Sequence, residues 1–203
     1  GIVGEDGETH QGAFDISFLN AVPYMVLFAP RCEESMKNVM EFAYSYKGVS
    51  AFRYPRGAFI LRDEFRAKPL EFGKGEILAD AKSDIAFLGY GNGVGKANLV
   101  RNLLFGKLEA ILVDLVFVKP LDSELLLGLA KRTKKWYIFS DSAKKGGVGE
   151  IVSAFLQENG ISNVSVFSFE FEDKFIHHGS TAEVEKSLGI SAEQIAQFLL
   201  ENN

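Results

Sequence analysis

Short apolar runs and segments of helical periodicity alternate regularly from residue 83 to the C-terminus. The apolar runs predict strands over residues 84–90, 109–118, 135–139 and 164–169. The segments between and after them predict helices over residues 96–105, 123–132, 148–159 and 192–201. Ser191 and Gln194 have the spacing of a capping box at the start of the last helix. Such alternation places parallel strands between two layers of helices. The sequence therefore predicts a complete three-layer αβα domain over residues 83–203.

The first 62 residues contain one shorter unit of the same kind. Apolar runs at residues 24–29 and 49–54 flank a segment, 32–46, that carries Met36, Val39, Met40 and Ala43 on one helical face. Two strands joined by a helix form a βαβ unit, which is too small to make a whole sheet layer. We therefore expect residues 1–62 to be the last part of a larger parallel-sheet domain. The charged stretch 63–82 is predicted to be a linker.

Composition excludes several classes of protein. With 22 Lys and Arg against 27 Asp and Glu, the net charge is −5, which offers no electrostatic footprint for nucleic acid or an anionic membrane. The single cysteine, Cys32, excludes an internal disulfide and favours a reducing, cytoplasmic location. No apolar run reaches the roughly 18–20 residues of a membrane span.

Three conspicuous patterns favour a structural interpretation. The glycine-rich stretch 89–96 does not fit a Walker or dinucleotide-binding loop, so we expect a tight turn before a helix, although a helix start there could hold an anion. The stretch 144–147 is interpreted as another helix start. His177 and His178 are adjacent and have no further ligand at metal-binding spacing, so a metal site is not predicted.

Residues 5–12, Glu-Asp-Gly-Glu-Thr-His-Gln-Gly, contain no apolar side chain. Gly7 and Gly12 permit tight turns that could direct Asp6 and His10 toward one point. A histidine beside a carboxylate suits proton transfer near neutral pH. Composition alone favours this catalytic interpretation no more than a plain surface loop.

A second candidate site follows the predicted strand at residues 49–54. Arg53 and Arg56 flank Tyr54-Pro55 at the strand end, where open α/β sheets bind their ligands. An arginine there suits bidentate binding of a phosphate or carboxylate, and a surface ion pair is an equally good interpretation.

Together these residues resemble the 1-deoxy-D-xylulose-5-phosphate synthase family, which belongs to the thiamine diphosphate-dependent, transketolase-like superfamily. The resemblance rests on three motifs: Asp6-Gly7-x-Thr9-His10-x-Gly12-x-Phe14-Asp15-x-Ser17-x-Leu19, Arg53-Tyr54-Pro55-Arg56-Gly57, and Phe117-Val118-Lys119-Pro120-Leu121-Asp122. It implies an α/β fold in which part of a pyrimidine-binding domain precedes a complete transketolase C-terminal-like domain.

The resemblance also implies an activity. The family condenses pyruvate with D-glyceraldehyde 3-phosphate, releases CO₂, and uses thiamine diphosphate and Mg²⁺ in what is usually a homodimer. His10 and Asp6 would be catalytic and would contact the acceptor, and Arg56 would bind its phosphate. Arg53 and Tyr54 would shape the pocket.

Some features of the family are missing from this sequence. The Gly-Asp-Gly…Asn-Asn cofactor signature is absent, and the resemblance puts the activating glutamate upstream of Gly1. We therefore expect a C-terminal fragment of the enzyme that binds no cofactor or metal and is inactive alone. Ser140-Asp141-Ser142 stands where relatives often carry paired glutamates, so the role of this turn is open. Part of a transketolase, part of a 2-oxo acid dehydrogenase beta subunit, or a non-catalytic dimerisation module remain alternatives.

Overall fold

The computed structural model describes residues 1–62 and 64–203 and contains two sheets flanked by helices. The strands are β1 Val26–Phe28, β2 Ser50–Phe52, β3 Glu76–Ala79, β4 Ile85–Gly89, β5 Ile111–Asp114, β6 Phe117–Lys119, β7 Lys135–Ala143 and β8 Ser165–Phe171. The α-helices are α1 Asp15–Asn20, α2 Glu33–Ser45, α3 Asn92–Leu103, α4 Ser123–Ala130, α5 Val148–Glu158, α6 Thr181–Ser187 and α7 Ala192–Asn202. Within these described ranges, no helix is both long enough and apolar enough to cross a membrane.

The larger sheet has the order β3-β5-β4-β7-β8, and its last four strands run parallel. Successive residues of β4 point into opposite cores. Phe87 packs in the core that includes Leu199 of α7, and Leu88 packs in the core that includes Val152 of α5. Since apolar side chains fill both faces of the sheet, the predicted three-layer αβα architecture is confirmed. The Ser191–Gln194 capping box at α7 is confirmed as well.

The smaller sheet has the order β2-β1-β6. Strands β1 and β2 are parallel and are joined by α2, as the βαβ prediction required. The third strand, β6, pairs antiparallel with β1 and comes from the C-terminal half of the chain. The two halves of the chain therefore share a sheet, which the sequence analysis did not foresee.

The prediction of one strand over residues 109–118 is wrong. This apolar run forms β5 in the larger sheet and β6 in the smaller one. Val116, between them, has a φ of 53°, and its N–H donates to Asp114 Oδ1 at 2.9 Å. A β-branched residue rarely adopts positive φ, so hydropathy gave no sign of the turn.

Some elements were not predicted or begin elsewhere. The predicted linker contains β3, which pairs antiparallel with β5, while the linker boundaries themselves remain predictions. The short helices α1 and α6 were not predicted from the sequence. Helix α3 begins at Asn92 rather than at the predicted residue 96. The glycines at the start of α3 have low helix propensity, and tertiary packing overrides it there.

Candidate active site

The loop before α1 and the segment after β2 meet through an ion pair. The loop makes two short 3-10 turns, Gly4–Asp6 and Glu8–His10, joined by Gly7 at a φ of 86°. The Asp6 carboxylate contacts Nη1 of Arg56, whose side chain is 65% exposed. Two of the three predicted site residues are therefore brought together, and most of the Arg56 donors remain accessible.

His10 lies at the end of the second turn with its side chain exposed. Its Nδ1 is 3.0 Å from Thr9 Oγ1, so the His10 ring contacts the neighbouring Thr9 rather than Asp6. Asp6 and His10 thus share a loop but contact different side chains, and their convergence on one point stays a prediction.

A cavity of about 340 Å³ lies beside Arg56. Residues that follow β2 and β4 line it together with Ser140 and Asp141 near the end of β7 and with α6, so the cavity lies at the carboxyl ends of these strands. Its lining includes Pro55, Arg56, Asn92, Lys96, Asp141 and Glu185. Lys96 Nζ is 2.6 Å from Glu185 Oε1, and both side chains are largely buried. Sequence reasoning did not identify Asn92, Lys96 or Glu185 as lining residues, because no local motif joins positions so far apart.

Arg53 is buried where the two sheets approach each other. Its Nε is 3.0 Å from Asp15 Oδ2, and its Nη1 is 3.0 Å from Asp141 Oδ1. Burial lowers the pKa of Arg53, but the two carboxylates outweigh burial and leave this pKa above its usual value. Burial also raises the pKa of Asp141, and Arg53 reverses the effect, so the pKa of Asp141 lies below its usual value. Both groups are therefore charged at neutral pH.

The glycine turn at residues 89–96 is required by close packing. A Cβ at Gly93 would lie 2.0 Å from the carbonyl oxygen of Phe139, and one at Gly95 would lie 2.6 Å from the backbone nitrogen of Leu61. Asn92 Oδ1 accepts the N–H of Ile60 at 2.9 Å. These contacts favour the structural interpretation of the turn.

The second glycine turn precedes α5, and a protein carboxylate occupies the start of this helix. Glu170 accepts the backbone N–H groups of Val148 at 2.8 Å and Gly149 at 3.0 Å, and the hydroxyl of Ser142 at 2.7 Å. Burial raises the pKa of Glu170, although these hydrogen bonds oppose it. Because Glu170 fills the positive end of the helix, the helix-start interpretation is supported over a binding loop.

The adjacent histidines do not form a metal centre with their neighbours. His177 Nδ1 contacts the Glu8 carboxylate, which ties this loop to the N-terminal turns. Across residues 1–62 and 64–203, no group of three or more His, Cys, Asp or Glu side chains could hold a metal ion.

The motif at residues 117–122 connects parts of the fold. Lys119 Nζ donates to the carbonyls of Asn20 at 2.6 Å and Val22 at 2.7 Å, at the end of α1. Asp122 caps α4 by accepting the N–H of Leu125 at 3.0 Å, and it also accepts the N–H of Gly75 at 3.1 Å. This motif is therefore structural.

Two family models match the chain. The model of the transketolase pyrimidine binding domain covers residues 1–60, and that of the transketolase C-terminal domain covers residues 73–195.

Known proteins resemble this chain in sequence and in fold. The 1-deoxy-D-xylulose-5-phosphate synthases of Campylobacter fetus and Sulfurimonas denitrificans are 59% and 50% identical over 197 residues, which is 97% of this chain and 32% of each relative. The chain thus spans about a third of the length of the curated relatives it matches. A solved structure described as a split gene transketolase, inactive beta4 tetramer, has a TM-score of 0.80 at 22% identity, covering 96% of this chain and 64% of that one.

Proposed function

This chain belongs to the transketolase family, and from that premise we propose that it is the acceptor-binding third of a 1-deoxy-D-xylulose-5-phosphate synthase. In the reaction, pyruvate loses its carboxyl group as CO₂. Its remaining two-carbon unit forms a carbon–carbon bond with the aldehyde carbon of D-glyceraldehyde 3-phosphate, whose oxygen takes up a proton. The product, 1-deoxy-D-xylulose 5-phosphate, serves isoprenoid, thiamine and pyridoxal synthesis.

The contact of Arg56 with Asp6 beside the cavity is the observation that carries the proposal. A guanidinium binds a phosphate through paired, charge-assisted hydrogen bonds, and Arg56 has donors left after its contact with Asp6. Asp6 holds the guanidinium from one side and fixes its direction. We therefore assign Arg56 to the phosphate of the acceptor.

His10 and Asp6 are assigned to the aldehyde and hydroxyl end of the acceptor. An exposed imidazole can donate a proton near neutral pH, and Thr9 Oγ1 at 3.0 Å from Nδ1 orients its ring. Because the loop that carries His10 also carries Asp6, which contacts Arg56, one segment would link the proton donor to the residue assigned to the phosphate.

In this family thiamine diphosphate serves as the electron sink for decarboxylation. The described residues do not fit the diphosphate end of that cofactor or its Mg²⁺, since they contain neither a cluster of metal ligands nor the cofactor signature. We propose that other parts of a longer chain hold both groups, and that the enzyme is a cytoplasmic homodimer. We also propose that this chain consists of a partial domain over residues 1–62, a linker over residues 63–82 and a C-terminal domain over residues 83–203.

The test is an assay of the full-length protein that contains this chain, with thiamine diphosphate and Mg²⁺. Formation of 1-deoxy-D-xylulose 5-phosphate from pyruvate and D-glyceraldehyde 3-phosphate, abolished or strongly reduced by His10→Ala, is expected. Two-carbon transfer between ketose phosphates instead would identify a transketolase. The 203-residue chain alone is expected to be inactive. Measurable turnover by it would contradict the proposal that other parts of a longer chain hold the cofactor and Mg²⁺.

A further inference from the structure

We propose that Asp141 is a positioning residue that, through Arg53, anchors the loop of residues 6–12 to strand β7 and so holds Asp6 and His10 in place for the acceptor. The inference rests on the proposed function, because the loop matters for catalysis only if the acceptor binds there. It assigns a role to residues 140–142, which the sequence predicted to be a turn and which the structure places in β7.

The side chain of Arg53 spans three parts of the molecule. Its Nη2 donates to the Gly12 carbonyl at 2.8 Å and to the Asp141 carbonyl at 3.2 Å. Its Nε faces Asp15 at 3.0 Å, while Nη1 makes an ion pair with the Asp141 carboxylate without an aligned hydrogen bond. One guanidinium thereby joins the end of the loop of residues 6–12, α1 and β7.

Two arginines hold the loop at its two ends. Arg56 contacts Asp6 at the start, and Arg53 binds the Gly12 carbonyl at the end. Both arginines follow β2 and are three positions apart, so the segment between them fixes their spacing. Residues 7–11, which include His10, lie between these two arginine contacts, and Glu8 within this stretch also contacts His177.

Asp141, rather than Asp15, provides the anchor. Asp15 lies three residues after Gly12 at the start of α1, on the same side of the Arg53 contact as the loop. Asp141 lies near the end of β7, whose residues 135–139 pair with β4 on one side and β8 on the other. It falls in the register shift between Phe139 and Ala143, and Ala143 pairs with β8 again. Removing the Asp141 carboxylate leaves the buried Arg53 ion-paired with Asp15 alone, on the loop's side of the contact.

The test uses the full-length protein, with Asp141→Asn and Asp141→Glu compared with Asp80→Asn, a carboxylate in a surface ion pair with Arg132. Hydrogen exchange measured by mass spectrometry reports loop protection. Steady-state kinetics with each substrate separate effects on the acceptor from effects on pyruvate. Asp141→Asn is expected to lose protection in residues 4–12 and to raise KM for D-glyceraldehyde 3-phosphate by up to about 100-fold. KM for pyruvate and the exchange of β4 should stay unchanged.

Asp141→Glu should recover most of the protection, and Asp80→Asn should match the unaltered protein. In Arg53→Gln, adding Asp141→Asn should have no further effect, because Asp141 acts through Arg53. Unchanged loop protection in Asp141→Asn would overturn the inference, as would additive effects of the two substitutions.

If Asp141→Asn fails to fold, Arg53→Lys is the deciding variant. It keeps a charge beside Asp141 but loses the paired donors that reach Gly12, so a loop that stays protected in this variant refutes the inference. Absence of product from the unaltered enzyme would refute the proposed function, while the exchange measurement would still decide the role of Asp141.

Discussion

Arg31 Nη1 lies 2.9 Å from Asp114 Oδ2, with 4% and 1% of the two side chains exposed. Arg31 follows β1 of the smaller sheet, and Asp114 ends β5 of the larger sheet. The same Nη1 is 3.0 Å from Glu76 Oε2, and Nη2 donates to the Arg66 carbonyl at 3.1 Å. A buried ion pair therefore fastens the two sheets together.

Asp114→Ala is expected to lower the free energy of unfolding by about 3–5 kcal/mol, because it leaves a buried guanidinium with one less partner. Val116 also loses the acceptor of its N–H. Chemical denaturation followed by circular dichroism measures the change. The matched control, Asp80→Ala, breaks an exposed ion pair and should have little effect; equal losses in the two variants would contradict the role given to Asp114.

Arg56→Ala in the full-length protein is expected to raise KM for D-glyceraldehyde 3-phosphate about 10- to 100-fold, since a hydrogen bond to a charged group contributes about 1.5–3 kcal/mol. Arg56→Lys keeps the charge but loses the paired donors of the guanidinium, so its KM should lie between those of the unaltered protein and Arg56→Ala. Steady-state kinetics at saturating pyruvate give the values, with Arg132→Ala as a surface control. An unchanged KM in Arg56→Ala would remove Arg56 from the phosphate site.

Gly93→Ala is expected to destabilise the protein by about 1–3 kcal/mol or more, because its Cβ would meet the Phe139 carbonyl at 2.0 Å. Gly128→Ala is the matched control, since a Cβ there meets nothing within 4 Å and the residue lies inside α4. That change should stabilise the helix by about 0.5–1 kcal/mol. Thermal unfolding of both variants gives the comparison, and a neutral Gly93→Ala would reopen the ligand-binding interpretation of the turn.

Asp141 makes stability depend on pH in a defined direction. Its pKa in the folded protein lies below the unfolded value of about 3.9, because Arg53 outweighs the effect of burial. Its stabilising contribution is therefore complete above about pH 4 and is lost as pH falls through the folded pKa. Asp15, Lys96, Tyr90 and the Gly1 ammonium, which lies 3.9 Å from Asp141 Oδ2, are present in both proteins. The difference between the unaltered chain and Asp141→Asn therefore reports the Asp141 carboxyl together with its effect on these neighbours.

Unfolding measured from pH 5 to pH 3 should show a difference between the two proteins that shrinks below about pH 4. A difference that widened with acidity would mean that Asp141 titrates above its unfolded pKa.

Predictions from the sequence succeeded where the signal was local. The periodicity around Phe87 and Leu88 correctly indicated a strand buried on both faces, and Ser191 with Gln194 indicated a helix start. Asp6, His10 and Arg56 were predicted as site residues because they lie within short, distinctive stretches, and their roles stay predictions. Asn92, Lys96 and Glu185 were missed as lining residues, because a cavity brings together positions from separate strands and helices that obey no common spacing.

The sequence by itself determined the alternation of strands and helices, the αβα layering and the family motifs, because hydrophobic periodicity and caps act over a few residues. Only the tertiary structure decided that Phe117 lies in the smaller sheet, beside β1, and that Arg53 contacts Asp141, 88 residues away. Positive φ at Val116 and the pairing of buried charges depend on partners that are distant in sequence. Their positions follow from the packing of the two sheets against each other.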